Sequence, residues 1–493
     1  MEAYCSRVLA AVGSICFFFS VSFVYGQEIQ SVEDLQRVIE AQQKMLEEQQ
    51  KKLDAQQKQL NQQAEFMQKL QNQLETLMAS PEGQTTTELA EAPALKPADK
   101  PEKKGGVKLS ELSDAGKHDR QSPTSNNVTY FDPAKVVNIP GTKTSIGLYG
   151  LAEFQIIHDS VGLNNNRFDT VSIPVDGGPS QTKFSVNPSQ LAISSTTPVT
   201  EGRLNTMISM DFNGQLDRPE PRLRMAYGEY VSNMMGIGLL GGQTYSTALD
   251  MRAVPETLDF AMPAGLWQTR QPLVRFTNAL PHSTIFETAL ETPENASYIG
   301  EETDKLTRWP DLSVAATWLT DGTYFKHLRI SGLVRDLRAE DASGNERSAV
   351  GLAVGGSTKI DLPILGPRDN FKFNIHYGDG YGTQIKGGPF EGAFNPVTSS
   401  LETIGIFGFY TGLQHFWSNR FRSNLVYGYV DPENPEFLDD DTLESTNYAA
   451  ANLIWSPFGS VTLGVEYLWG RRENKDGGAG TSNRILFSSR FDF

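Results

Sequence analysis

Cysteine is almost absent from this chain. Of 493 residues only Cys5 and Cys16 carry a thiol, and both fall in an N-terminal segment expected to be removed. From Gln27 onward there is none, which excludes a disulfide framework, thiolate zinc sites, iron–sulfur clusters and cysteine nucleophiles from the mature chain. Basic charge is also in deficit. The 43 Lys and Arg against 59 Asp and Glu leave −16, and a pI near 5.0 argues against a general nucleic-acid binder. Long apolar runs are missing after Val24, and a mean hydropathy of −0.37 rules out a helical membrane bundle. It leaves open a membrane β-barrel, whose strands are half polar. The histidines His118, His158, His282, His327, His376 and His415 show neither i, i+4 nor HExxH spacing, so no metal site and no cofactor are expected.

What is present divides into four segments. Arg7 is followed by an apolar run from Val8 to Val24, ending on Val24-Tyr25-Gly26 before the polar Gln27. A basic start, a short apolar core and a small-residue cleavage site are those of a signal peptide over residues 1–26. A retained anchor is the rival, because 17 residues nearly span a bilayer. Residues 27–79 are rich in Gln, Glu, Lys and Leu. Val32, Ile39, Leu46, Leu53, Leu60, Met67 and Leu74 recur every seven residues, and three residues after each come Leu35, Gln42, Gln49, Gln56, Gln63, Leu70 and Leu77. This heptad predicts a coiled coil with Ile39, Leu46, Leu53, Leu60, Met67 and Leu74 in its core. Its glutamine layers lower stability while fixing register, and its mixed a positions do not decide dimer against trimer. A single solvated helix is the plainer alternative. Residues 80–143, with Pro81, Pro93, Pro97, Pro101, Gly105 and Gly106 and few large apolar side chains, form a flexible linker.

Residues 144–493 change to a period of two. Ile485, Phe487, Phe491 and Phe493 alternate with polar neighbours, as do Val461, Leu463, Val465, Tyr467 and Trp469, and Leu328, Ile330 and Val334. Each such run is a strand with one apolar and one polar face. A soluble sandwich gives the same alternation. The polar face here carries arginines and glycines that a sandwich core would not tolerate and a water-filled lumen does. Aromatics such as Phe416, Trp417, Trp455 and Phe458 gather at strand ends, as interfacial girdles require. Strand starts are expected near 144, 182, 203, 222, 235, 272, 283, 311, 325, 347, 369, 404, 420, 444, 459 and 481. The fold class is therefore an all-β transmembrane antiparallel barrel of about sixteen strands, wide enough for an aqueous channel, behind an α-helical coiled coil.

The arginines are the candidate site. Strand parity turns Arg222, Arg224, Arg275, Arg329, Arg335, Arg420, Arg422, Arg484 and Arg490 away from the apolar face, and Arg270 precedes a strand. A guanidinium facing lipid at mid-depth costs about 2–4 kcal/mol, so a lumen position is preferred. The plainer reading is that they pair with wall acids such as Glu153, Asp211 and Glu466. Thr247–Gln268 is long and apolar for a barrel loop, so it is expected inside as a constriction, with Arg252 lining the narrowest point. Acids concentrate in predicted loops, Glu301-Glu302-Asp304 and Asp431–Glu444. Gly236–Gly241 fits a dinucleotide pattern, but no helix opens after it. His158, Asp159 and Ser160 are the one local cluster with catalytic residue types, and no catalytic residue is assigned.

At this point the chain resembles the DcaP-type trimeric outer-membrane porins. The residues that carry the resemblance include Asn138-Ile139-Pro140-Gly141-Thr142-Lys143-Thr144, Pro255-Glu256-Thr257-Leu258-Asp259-Phe260, Arg270-Gln271-Pro272, Gln414-His415-Phe416-Trp417 and Asn452-Leu453-Ile454-Trp455-Ser456-Pro457, with the terminal Phe493 and the glutamine-rich heptads. The resemblance implies a sixteen-stranded barrel in homotrimers, a coiled coil in the periplasm, and passive uptake of small anionic solutes such as dicarboxylates. The loops depart from other members, so the particular solute does not carry over. The expected partners are outer-membrane lipid and lipopolysaccharide, anionic solutes and the barrel-assembly machinery, which would read Phe493; no nucleic acid is expected. Two rivals stand beside the channel: a structural tether whose coil engages the cell wall, and an outer-membrane hydrolase.

Overall fold

Alternating strands leave backbone groups at their edges, and in a bilayer every edge must be paired, so the sheet has to close. The computed structural model describes residues 136–493, apart from 164, 216, 233, 294–295, 301–304, 321, 323 and 342, and its sheet is closed. The wall strands are β1 (Ser145–Asp159), β2 (Gln181–Ser185 continued by Gln190–Val199), β3 (Gly202–Asp211), β4 (Arg222–Ser232), β5 (Ile237–Tyr245) and β6 (Arg270–Leu280). They continue as β7 (Thr284–Glu291), β8 (Asp311–Leu319), β9 (Phe325–Glu340), β10 (Glu346–Asp361) and β11 (Asn370–Asp379). The last five are β12 (Gly405–Phe416), β13 (Phe421–Glu433), β14 (Leu443–Phe458), β15 (Val461–Asn474) and β16 (Ala479–Asp492). Each is antiparallel to its neighbours, and β1 pairs with β16 from Leu151↔Asp492 to Asp159↔Arg484, which seals the wall. No helix among the described residues is long and apolar enough to cross a membrane; the crossing is by strands.

The expected strand starts all lie within two residues of the observed ones, including those near 235, 272 and 404. One loop is shorter than expected: β13 runs on to Glu433 and β14 begins at Leu443, so Asp431 and Glu433 are paired rim positions and Glu444 lies at a bulge within a strand rather than in a loop. The signal peptide of residues 1–26, the heptads of 27–79, residues 80–135 of the expected 80–143 linker and Glu301-Glu302-Asp304 lie outside the described residues; the end of that linker is not a free tether, because Val136–Asn138 pairs antiparallel with Ser145–Gly147 of β1.

Parity sorts the faces. Leu148, Ile156, Ile193, Ile208, Leu425, Val465, Ile485 and Phe487 are exposed on the outer face, while Glu153, Asp211, Arg224, Arg335 and Arg484 are buried on the inner one. Aromatics stack on the outer face, Phe421 on Trp455 at 5.8 Å between centroids. The inner face is less polar than parity alone suggests. Tyr149, Met207, Met225, Tyr227 and Leu468 also point inward and are buried, because loops fold into the barrel and pack on them. Turns are short at one end of the wall and long at the other, where 160–180, 246–269 and 380–404 connect strands. In such barrels the long loops face the cell exterior.

Candidate solute path and its constriction

Loop 246–269 lies inside the wall. From Thr247 to Gln268 every residue is buried except Arg252 and Gln268, which are partly exposed. Its apolar residues Leu249, Met251, Val254, Met262 and Leu266 pack on the inward Met207, Met225, Tyr227 and Leu240, each such side chain contributing about 1.5–3 kcal/mol. Wall glycines make room for it: a Cβ on Gly428 would lie 2.2 Å from Ala264 O, and one on Gly464 would lie 2.6 Å from Leu258. Gly265 itself has φ +77°, with Phe409 O 2.6 Å from where a Cβ would stand, so the chain turns there only as glycine.

The loop carries three acids, and each faces a base on the wall. His327 on β9 donates to Asp250 at 2.6 Å, and Ser357 on β10 donates to it at 2.7 Å. Burial works against the Asp250 charge, but His327, Arg329 and Arg252 outweigh it and hold the carboxyl well below the usual range. Arg422 on β13 grips Glu256 at 3.0 Å. Arg484 on β16 bridges Asp159 at 2.6 Å and Asp259 at 2.9 Å. Arg252 is the remaining charged side chain of Thr247–Gln268.

Two more loops enter the barrel, which the amino-acid sequence did not announce. In 380–404, Lys386 N–H donates to Leu266 O at 2.9 Å and Gly265 N–H to Lys386 O at 2.8 Å, so this loop meets the first one strand-fashion. His376 joins the pair by donating from Nε2 to Gly265 O at 2.6 Å, beside the Tyr381 hydroxyl at 2.9 Å. Loop 160–180 brings Phe168 against Tyr448 at 6.1 Å, and Arg484 holds its Asn166 carbonyl at 2.9 Å.

Most of the expected lining arginines are therefore engaged. Arg224 bonds Asp211 at 3.2 Å. Arg329 bonds Glu287 at 2.5 Å and Thr247 O at 2.5 Å. Arg335 bonds Asp311 at 2.9 Å and Glu391 of loop 380–404 at 2.8 Å. Arg275 donates to Thr247 Oγ1 at 2.8 Å and to the Tyr245 carbonyl, and Arg490 pairs with Asp492 at 2.6 Å. Arg420 is not on the wall at all: it is exposed in the turn 417–420, beyond the start of β13, where strand parity no longer applies. Of the acids expected as partners, Asp211 takes that part. Glu466 instead accepts the backbone N–H groups of Leu258 and Asp259 at 2.9 and 2.8 Å, and Glu153, close enough to Arg490 to feel its charge, also accepts from Gln155 and Ser488 at 2.8 and 2.9 Å.

A second group of cations lies nearer to open space. Arg222 grips Asp211 with two bonds, at 3.1 and 2.8 Å, and stays part-exposed. Arg270 lies 5.4 Å over the Tyr245 ring. Arg167 and Lys386, from two different loops, line a cavity of about 600 Å³ together with Phe168, Met262, Asp439 and Tyr448. Among the described residues no acid lies at ion-pair distance from Arg167, Arg270 or Lys386. Lys386 is pushed down to about 8, first by burial and then by the charges of Arg167, Arg222 and Arg270, with Asp169 opposing. Arg167 is lowered too, by burial and then by Arg222. Arg167 and Lys386 line that cavity, and Arg222 and Arg270 lie near enough for their charges to act on Lys386.

A closed barrel of this strand count, with loops folded inward and an apolar outer belt, matches the family model described as DcaP outer membrane protein over residues 124–493. The chain belongs to that family. This DcaP-family protein is an outer-membrane channel and not an enzyme. Among solved structures, the outer membrane channel DcaP of Acinetobacter baumannii is similar with a TM-score of 0.63 and 21% identity, covering 72% of this chain and 99% of that one. The outer membrane protein OmpT of Vibrio cholerae is similar with a TM-score of 0.47 and 10% identity, over 73% of this chain and 100% of its own. No curated protein matches.

Two of the four clustered cations, Arg167 and Lys386, escaped parity because they sit on loops. The signal that could have found them is the one that placed Thr247–Gln268 inside, namely apolar residues and glycines in an overlong connection, as in Ile385-Lys386-Gly387-Gly388. The His158 cluster does not assemble in this DcaP-family wall: His158 faces outward against Thr182 at 2.8 Å, whereas Asp159 faces inward to Arg484.

Proposed function

We propose that this DcaP-family channel passes small anionic solutes, dicarboxylates among them, by passive diffusion. The observation that carries this reading is the cluster of Arg167, Arg270 and Lys386 without acids at ion-pair distance, beside a constricting loop whose own acids are all turned to wall bases. A net charge of −16 does not oppose it, because the charges at the narrow part decide passage. A charge in a narrow space with low-dielectric walls acts further than one on an exposed loop. Arg222, Arg252 and Arg270 then belong to the path with Arg167 and Lys386, while Arg224, Arg275, Arg329, Arg335 and Arg422 brace it. Contacts should be weak and repeated, since a tight site would block flow. Uptake into protein-bearing liposomes tests this: succinate should enter several-fold faster than a diamine of equal length. Faster diamine entry would overturn it.

We further propose that three copies assemble, with residues 1–26 removed and the 27–79 heptads coiled together in the periplasm. The outer face would lie against lipid and lipopolysaccharide, and Phe493 would serve the barrel-assembly machinery. The heptad register and family membership support this reading. Cross-linking of the full chain in membranes should trap trimers, and dimers as the limit product would overturn it.

A further inference from the structure

The basic cluster holds one amine among guanidiniums. Lys386 stands where loops 380–404 and 246–269 meet, its backbone held by Leu266 and Gly265. Gly387 follows with φ +82°, and Thr446 Oγ1 lies 2.7 Å from where its Cβ would be, so the turn that presents the amine requires glycine. The groups facing Lys386 come from every side. Loop 160–180 brings Arg167 and Asp169, β4 brings Arg222 and β6 brings Arg270. Across the cavity stand Asp439 and Asp441 of the loop after β13, Tyr448 of β14 and Arg472 of β15. Arg472 is occupied, donating to Asn474 Oδ1 and Val171 O at 3.0 Å each.

Guanidiniums keep their charge at any pH compatible with folding, whereas a crowded ammonium can release its proton near neutrality. We infer that Lys386 is a specificity-determining residue of the anion path and makes its selectivity respond to pH: charged, it favours doubly over singly charged anions; neutral, it lets that preference fade. This rests on the anion path proposed above. The direction follows from the crowding. With the Lys386 value pushed down to about 8, the charge is present at pH 6 and lost as pH climbs past that point. A dianion in the cavity reverses part of the loss, since its charge favours the protonated amine, so its binding takes up a proton in mildly alkaline solution.

The test uses the full chain in planar bilayers, as wild type, Lys386→Arg and Lys386→Gln, with reversal potentials in KCl and in potassium succinate against potassium acetate. The Lys386 side chain makes no hydrogen bond among the described residues, so both variants should fold, checked by heat-modifiable mobility. In wild type, the anion-over-cation ratio should fall about two- to threefold between pH 6 and pH 9.5. Lys386→Arg should hold the high ratio at both values, and Lys386→Gln the low one. The same fall in Lys386→Arg as in wild type, or a flat ratio in a wild type that still prefers anions, overturns the role of Lys386. A wild type without anion preference at pH 6 overturns the anion path itself.

Discussion

Arg484 and Arg270 are the same side chain in one barrel, in opposite circumstances. Arg484 is fully buried, with Asp159 and Asp259 both within 2.9 Å. Arg270 lies over an aromatic ring beside other cations, with no acid at ion-pair distance among the described residues. Burial of a charge is expensive unless a partner and hydrogen bonds offset it, so Arg484 is fully engaged in holding loop and wall together. Little of its field is left to act on a passing solute. Arg270 braces nothing and keeps its field. Bracing and selection are thus divided among the arginines of one barrel.

The largest break in that comparison comes from Arg484→Ala. Two buried carboxylates would lose their arginine, Asp159 keeping only Lys183 at 3.8 Å, a loss of about 3–5 kcal/mol, seen as a lower urea midpoint and a smaller heat-modifiable fraction. Adding Asp159→Asn and Asp259→Asn should recover much of it. If Arg484→Ala left stability intact and shifted only selectivity, the division would fail. Next in size is Glu256→Gln, which frees Arg422 from its one acid while leaving its bond to Ser456 at 3.1 Å. Stability should fall by about 2–3 kcal/mol, and the anion-over-cation ratio should rise, because a braced arginine joins the selecting group. An unchanged ratio with lowered stability would confine Arg422 to bracing.

Deleting Phe493 should weaken folding less. It removes the two backbone hydrogen bonds with Gly150, 3.0 Å each, that continue the β1–β16 seam, about 1–3 kcal/mol together. Membrane levels should fall well below those of Asp492→Ala, which keeps the seam; equal levels would remove any special part for the terminal aromatic.

The wall was legible in the residues because a period of two, with one face in lipid, leaves no second register: slipping Ile485 and Phe487 by one residue would turn Arg484 outward. Thr247–Gln268 was legible as an inserted loop because its apolar content has nowhere else to go. The division between bracing and selecting arginines was not. It depends on which wall residue an acid such as Glu256 or Asp259 reaches, 166 and 225 positions away in the chain, and periodicity carries no information about such pairs. Arg167 and Lys386 were missed for a related reason, since loops have no period and their inward fold follows from contacts such as Gly265 with Lys386. Arg420 shows the converse error, parity extended one residue past the strand that supports it.

The most direct measurement is the reversal potential in asymmetric KCl at pH 6 for wild type, Arg167→Ala and Arg270→Ala, with urea midpoints for the same proteins. Wild type should prefer chloride, each variant should lose about half or more of that preference, and neither variant should lose more than about 1 kcal/mol of stability, the scale of the Arg270–Tyr245 contact. A cation-preferring wild type, or variants that lose stability while the potential stays put, would contradict the division between arginines that brace this channel and cations that select its solutes.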